Sequence, residues 1–125
     1  LKPVWQVRIT AHFRQNLADI EDFLSATQAA HAFDELLDEL ADKVIPNLEN
    51  FPGMGRDFMT RSPGSVEVVQ GLSALQKLGA SLELREYIFP PYALLYAASG
   101  QIAYLLTIRH HRQLSFDFAG LWGDV

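Results

Sequence analysis

An α+β fold is the class this sequence predicts, on three observations: an alternating apolar run at the start, two helical-period apolar stripes behind it, and a last third of short extended runs parted by Pro-Pro and Ser-Gly. At 125 residues the chain fits one domain, residues 1–125. Its 49% hydrophobic and 20% charged residues match a packed globular core and exclude disordered or fibrous classes.

Trp5, Val7 and Ile9 alternate with Gln6 and Arg8, so Val4 to Ile9 reads as a half-buried strand. Thr10 follows as a helix N-cap, because its hydroxyl can accept a backbone N–H of the next turn. Phe13, Leu17, Ile20 and Leu24 then line one face of a helix from about Ala11 to Leu24. After a break near Ser25 to Gln28, Phe33, Leu36, Leu37, Leu40 and Val44 make a second stripe, and Pro46 is expected to end that helix. Residues 47–64 have loop composition, centred on Pro52-Gly53-Met54-Gly55-Arg56. Val66 to Leu78 is expected to be a short helix stopped by Gly79.

Leu82, Leu84 and Ile88 alternate with Glu83, Arg85 and Tyr87 as a strand, Pro90-Pro91 turns the chain into Tyr92 to Ala98, and Gly100 serves a tight turn into Ile102 to Arg109. These three strands form an antiparallel meander, and the first strand must join the same sheet to pair its backbone. Strands 92–98 and 102–109 are apolar on both faces, whereas one helical hairpin covers only one. Residues 65–78, the segment 116–122 or a partner chain must cover the other.

The net charge of −5 disfavours a broad electrostatic grip on nucleic acid. It is unevenly spread: residues 1–50 hold nine acids and four bases, and residues 51–125 hold six of each. Asp34, Glu35, Asp38, Glu39 and Asp42 make the second helix acidic, while Arg109-His110-His111-Arg112 is a basic cluster. The absence of cysteine excludes disulfides, thiol nucleophiles and thiolate metal sites. With no signal peptide and no apolar run near the ~20 residues that span a bilayer, a cytoplasmic protein without membrane contact is expected. The acids lack neighbouring histidines and read as a solvated face, so no metal or cofactor is expected. His12 and His31 stand alone.

The strand ending at Thr10, then Leu17-Ala18-Asp19-Ile20-Glu21-Asp22-Phe23, the Pro52–Arg56 loop, Leu84-Arg85-Glu86-Tyr87, Tyr92-Ala93-Leu94-Leu95-Tyr96 and Ile108-Arg109-His110-His111-Arg112 together resemble the RelE/ParE superfamily of bacterial toxins. The resemblance spans nearly the whole chain, although residues 57–80 exceed the link usual in that family. It implies the toxin of a type II toxin–antitoxin (plasmid stabilisation) pair, neutralised by a cognate antitoxin and directed at DNA gyrase or at the ribosome and its mRNA. The fold does not choose between these targets.

RNA cleavage needs a base for the 2′-hydroxyl, a cation for the phosphate and an acid for the leaving oxygen. Arg85 matches the sheet arginine of the family's nucleases, Arg109 and Arg112 could hold phosphate, and His110 or His111 could move protons near neutral pH. The alternative function is therefore a ribosome-dependent mRNA endonuclease with Arg85, Arg109 and His111 as catalytic groups. The same Arg-His-His-Arg run is equally a solvated strand end, and Tyr96, a possible acid near Arg85, sits in a central strand where an aromatic is more often core. Against the nuclease, the strands carry no lysine, the catalytic Tyr or His-Tyr at the end of active members is missing, and cleavage of free RNA is not expected. Arg56 and Arg61, in a polar loop, together with His110, Arg112 and Tyr96, are candidates for contact with antitoxin or target. A degenerate, non-toxic member is the reserve reading.

Overall fold

The structure, a computed structural model, describes residues 5–58 and 83–113. Gln6–Ile9 form β1, Ala11–Ala26 form α1 and Ala30–Glu39 form α2, which runs through a π-turn at Leu40–Val44 into α3, Ile45–Asn50. Arg56–Asp57 make a short β2, followed by β3 (Glu83–Phe89), β4 (Tyr92–Ser99) and β5 (Ile102–His110). One mixed sheet results, in the order β1-β5-β4-β3-β2. The meander is antiparallel, and β1 runs parallel to β5 with Gln6 opposite Ile102 and Ile9 opposite Leu105.

Thr10 fastens the first strand, the first helix and the last strand at one point. Its hydroxyl accepts the Phe13 N–H at 3.2 Å, as an N-cap should, and donates to the Leu105 carbonyl at 2.8 Å. The α1–α2 break is made without glycine: Gln28 takes a φ of 60°, the left-handed conformation that often ends helices.

Pro46 does not end the second helix as expected. In the π-turn the Ile45 N–H reaches back to the Leu40 carbonyl, and Pro46 then sits in the first turn of α3, where its missing N–H interrupts no ladder. The irregular segment therefore begins at Phe51, not Asn47, and Arg56, expected in a loop, pairs as edge strand with Glu86.

The helices pack on one face of the sheet. Phe13, Leu36, Leu40, Val44 and Leu48 meet Phe89, Tyr92, Leu94, Tyr96, Leu105 and Ile108, all buried. Leu37, expected in the stripe, lies partly exposed among the acids. In β3 Tyr87 and Phe89 face the helices, while Leu84 and Ile88 belong to the opposite face. On that face Leu84, Ala93, Leu95 and Ala97 are buried within the chain, so its middle is not an open docking surface. The segments expected to cover it, 65–78 and 116–122, lie outside the described residues. Among the described residues no helix is long and apolar enough to cross a membrane.

A β-bulge in β5 decides which side chains reach which face. Tyr96 pairs with Leu105 but Leu95 with Thr107, so one extra residue enters β5 and the alternation shifts by one. Buried Asn16 of α1 holds the irregularity, its Oδ1 accepting the Thr107 hydroxyl at 2.6 Å and the Ile108 N–H at 3.2 Å. Asn16→Ala is expected to leave both donors unpaired and to lower stability by about 3 kcal/mol, checked by urea denaturation; a loss within about 0.5 kcal/mol would show that the bulge holds itself.

Candidate functional site

Beyond the bulge the basic cluster divides between the two faces. Arg109 pairs with Ala93, which pairs with Ile88, on the face away from the helices. There Arg109 and His111 join Arg56, Glu86, Ile88 and Pro91 around a pocket of about 470 Å³. Arg109 donates to the Gln113 carbonyl at 2.6 Å, and the His111 N–H donates to the Pro91 carbonyl at 2.7 Å. The His111 ring places Nδ1 3.3 Å from that same carbonyl, which can only accept, so the contact favours the Nδ1–H tautomer and leaves Nε2 as the basic nitrogen. Arg56, half exposed, is ion-paired at 3.0 Å with Glu86, whose carboxylate is nearly buried.

His110 and Arg112 lie on the helix side, in a groove of about 370 Å³ shared with Ile20, Phe23, Leu24 and Ile108. The His110 ring stands edge-on to Tyr92, and its Nδ1 accepts the Arg112 N–H at 3.1 Å. Burial, then the neighbouring His111 and Arg112, hold its pKa below the ordinary histidine value. The Arg112 bond needs the same unprotonated nitrogen, so geometry and electrostatics agree on a neutral ring.

Arg85 is elsewhere. It pairs with Tyr96 on the helix-facing side, opposite in parity to Arg109 and three residues from the Ile88–Ala93–Arg109 row, roughly 10 Å along the strand. Its guanidinium donates to the Gly55 carbonyl at 2.6 Å and to Glu83 at 2.9 Å. Tyr96, expected as a contact residue, presents no surface: fully buried, it accepts the Gly55 N–H at 3.0 Å and donates to the Pro52 carbonyl at 2.6 Å. Burial raises its pKa and keeps the phenol protonated. Tyr96 and Arg85 thus pin the loop 51–55 to the sheet. Gly55 is required for that fit, since a Cβ there would lie 2.8 Å from the Tyr96 hydroxyl and 2.9 Å from the Glu86 carbonyl. Arg61 lies outside the described residues. Among the described residues no group of three or more His, Asp or Glu gathers as a metal would need.

The family model for the ParE toxin of type II toxin-antitoxin system, parDE, matches residues 7–115, from β1 through the basic cluster. The chain belongs to the ParE toxin family. It is thus a type II toxin with an antitoxin as partner. Neither the curated proteins nor the solved structures yielded a significant match. In this ParE-family toxin Arg85 is bonded to the 51–55 loop, whereas Arg56 and Arg109 line one pocket and Arg112 another. Sequence reasoning missed Glu86 and Ile88, because a lone acid and an aliphatic in an alternating strand carry no local mark of the partner that β2 brings to them.

Two outcomes test this arrangement. Gly55→Ala should destabilise the toxin by about 1–3 kcal/mol in thermal melts through overpacking against Tyr96, whereas Gly53→Ala, with nothing within 4 Å, should be close to neutral. Because His110 is harder to protonate folded than unfolded, its contribution is complete above the unfolded pKa of about 6.5 and is lost as pH falls below it. His110→Asn, which keeps an acceptor but does not titrate, should flatten that part of the stability-against-pH curve; an unchanged slope would place its origin in other groups.

Proposed function

We propose that this toxin acts in the cytoplasm by binding and inhibiting DNA gyrase, and that its cognate antitoxin neutralises it by covering that activity. The family match supports a toxin. The observation that carries the choice of target is the separation of Arg85 from Arg109 and His111. Cleavage of RNA requires cation, base and acid converging on one phosphodiester, and hydrogen bonds hold Arg85 to the loop on the other face. Inhibition by protein binding requires only a shaped surface. The net charge of −5 also suits a protein surface better than ribosomal RNA.

The endonuclease reading keeps one favourable observation: Arg109 and His111 share a pocket, with the basic Nε2 of His111 not engaged by Pro91. The same experiment addresses both. Purified toxin in a gyrase supercoiling assay should block supercoiling or accumulate cleaved plasmid, equimolar antitoxin should restore activity, and mRNA in a translating extract should remain full length. Unaltered plasmid topology with mRNA truncated only when ribosomes are present, and protected in His111→Ala, would replace gyrase by the ribosome.

A further inference from the structure

The turn that follows β5 serves both cavities. Arg109 and His111 line the pocket on the face away from the helices, and His110, Arg112 and Gln113 line the groove beside α1. The turn is closed on itself through Gln113. Its Oε1 accepts the His110 N–H at 2.8 Å, its N–H donates back to the His110 carbonyl at 2.9 Å, and its carbonyl accepts from the Arg109 guanidinium at 2.6 Å. A further bond depends on a nitrogen that titrates near neutral pH. The Arg112 N–H donates at 3.1 Å to Nδ1 of the His110 ring, which accepts only while that nitrogen carries no proton. The sheet pairing ends at Tyr92 opposite His110, so residues 112 and 113 can move without breaking a strand.

We propose that the 110–113 turn is an acid-released latch: a proton on Nδ1 of His110 sets N–H against N–H, expels the Arg112 amide and withdraws from Arg109 the Gln113 carbonyl that holds it at its pocket. The two adjacent histidines respond differently. Nδ1 of His111 faces the Pro91 carbonyl, an acceptor, so a doubly protonated His111 ring keeps its contact. At Nδ1 of His110 the partner is itself a donor, and the contact turns repulsive. The titratable and charged groups around the His110 ring are Tyr92 of β4, edge-on at 5.3 Å, Asp19 of α1 in the wall of the groove, Arg112, and His111 with 4.4 Å between ring centroids. Burial keeps the Tyr92 phenol protonated, and Asp19 is engaged by the Gln15 amide at 3.0 Å. Burial, then His111 and Arg112, opposes a charge on His110 itself. The latch is therefore closed at neutral pH and opens as pH falls below the ordinary histidine value of about 6.5. Opening it alters both cavities together, because one turn carries side chains of each.

The test is an NMR titration of the wild-type toxin between about pH 5 and pH 8, which requires no variant to fold. The Arg112 and Gln113 amide signals and the Arg109 Nε–H signal should shift with one midpoint, that of the His110 ring. Across the same midpoint the Arg112 N–H should lose about tenfold in protection from hydrogen exchange, beyond the intrinsic effect of pH. The amide of Leu94, fully buried in β4, should keep its position. In His110→Asn, whose side-chain oxygen can accept the same N–H without titrating, the linked shifts and the loss of protection should disappear. In His111→Asn they should persist, with the His110 midpoint moved upward by removal of a neighbouring charge. Arg112 protection that does not change across the His110 midpoint, or that follows the His111 ring instead, overturns the proposal. Movement of the Leu94 signal together with Arg112 overturns it as well, since the event would then be unfolding of the sheet and not release of the turn.

Discussion

One extra residue in β5, held open by the amide oxygen of Asn16, determines what both faces of this toxin present. Upstream of the bulge Ala103 and Leu105 face the helices; downstream Ile108 and His110 do. Strict alternation would have carried the parity of 103 and 105 on to Arg109 and driven a guanidinium beneath α1, where burial of an unpaired charge costs several kcal/mol. With the bulge, Arg109 emerges beside His111 and Ile88, and the neutral ring of His110 turns inward against Tyr92. The Asn16 contacts answer the need that any bulge creates, a partner for the N–H left out of the ladder.

Two other buried hydroxyls follow the same logic: each of them ties an irregular segment or a helix start to a regular strand. Thr10 joins a helix start to β5, and Tyr96 joins the 51–55 loop to β4. Both hydroxyls act as donor and acceptor together, so neither lone pair nor proton is stranded in the core. Arg85 extends the Tyr96 arrangement by covering the carbonyl next to the bonded amide. The arginine expected to meet a phosphate instead completes the hydrogen bonding of a loop. In a chain of this size such a role is as good a reason for a sheet arginine as chemistry is.

Much of the architecture was legible because it follows from periodicity. The strand–Thr10–helix start, the stripe of α1 and the Gly100 turn are local signals, and each element formed where the residues asked for it. What was illegible depends on partners distant in sequence. Pro46 passes inside a helix only because a π-turn precedes it, Gln28 serves as a left-handed stop in place of glycine, and Arg56 becomes a strand only against Glu86. At the site, the pairing of Arg109 with His111 followed from alternation, but the face they share was set by a bulge that no residue type announces. The face of Arg85 was equally illegible, since its register is fixed by the pairing with Tyr96 of β4, which sets it on the side opposite Arg109.

The parallel pairing of β1 with β5 also governs how the molecule comes into being. Residues 6–9 have no sheet partner until residues 102–105 have been synthesised, and the Thr10–Leu105 bond closes a sequence separation of 95 residues. Contacts of that span make folding slow, because the chain entropy is lost before the long-range contacts reward it. The amphipathic helices emerge first and must wait with their apolar stripes unsatisfied, a state prone to association with any hydrophobic partner. The surface around Arg109 and His111 belongs to the strand that completes the sheet. The pocket around Arg109 and His111 is therefore assembled only once β5 has been made and has paired with β1 and β4.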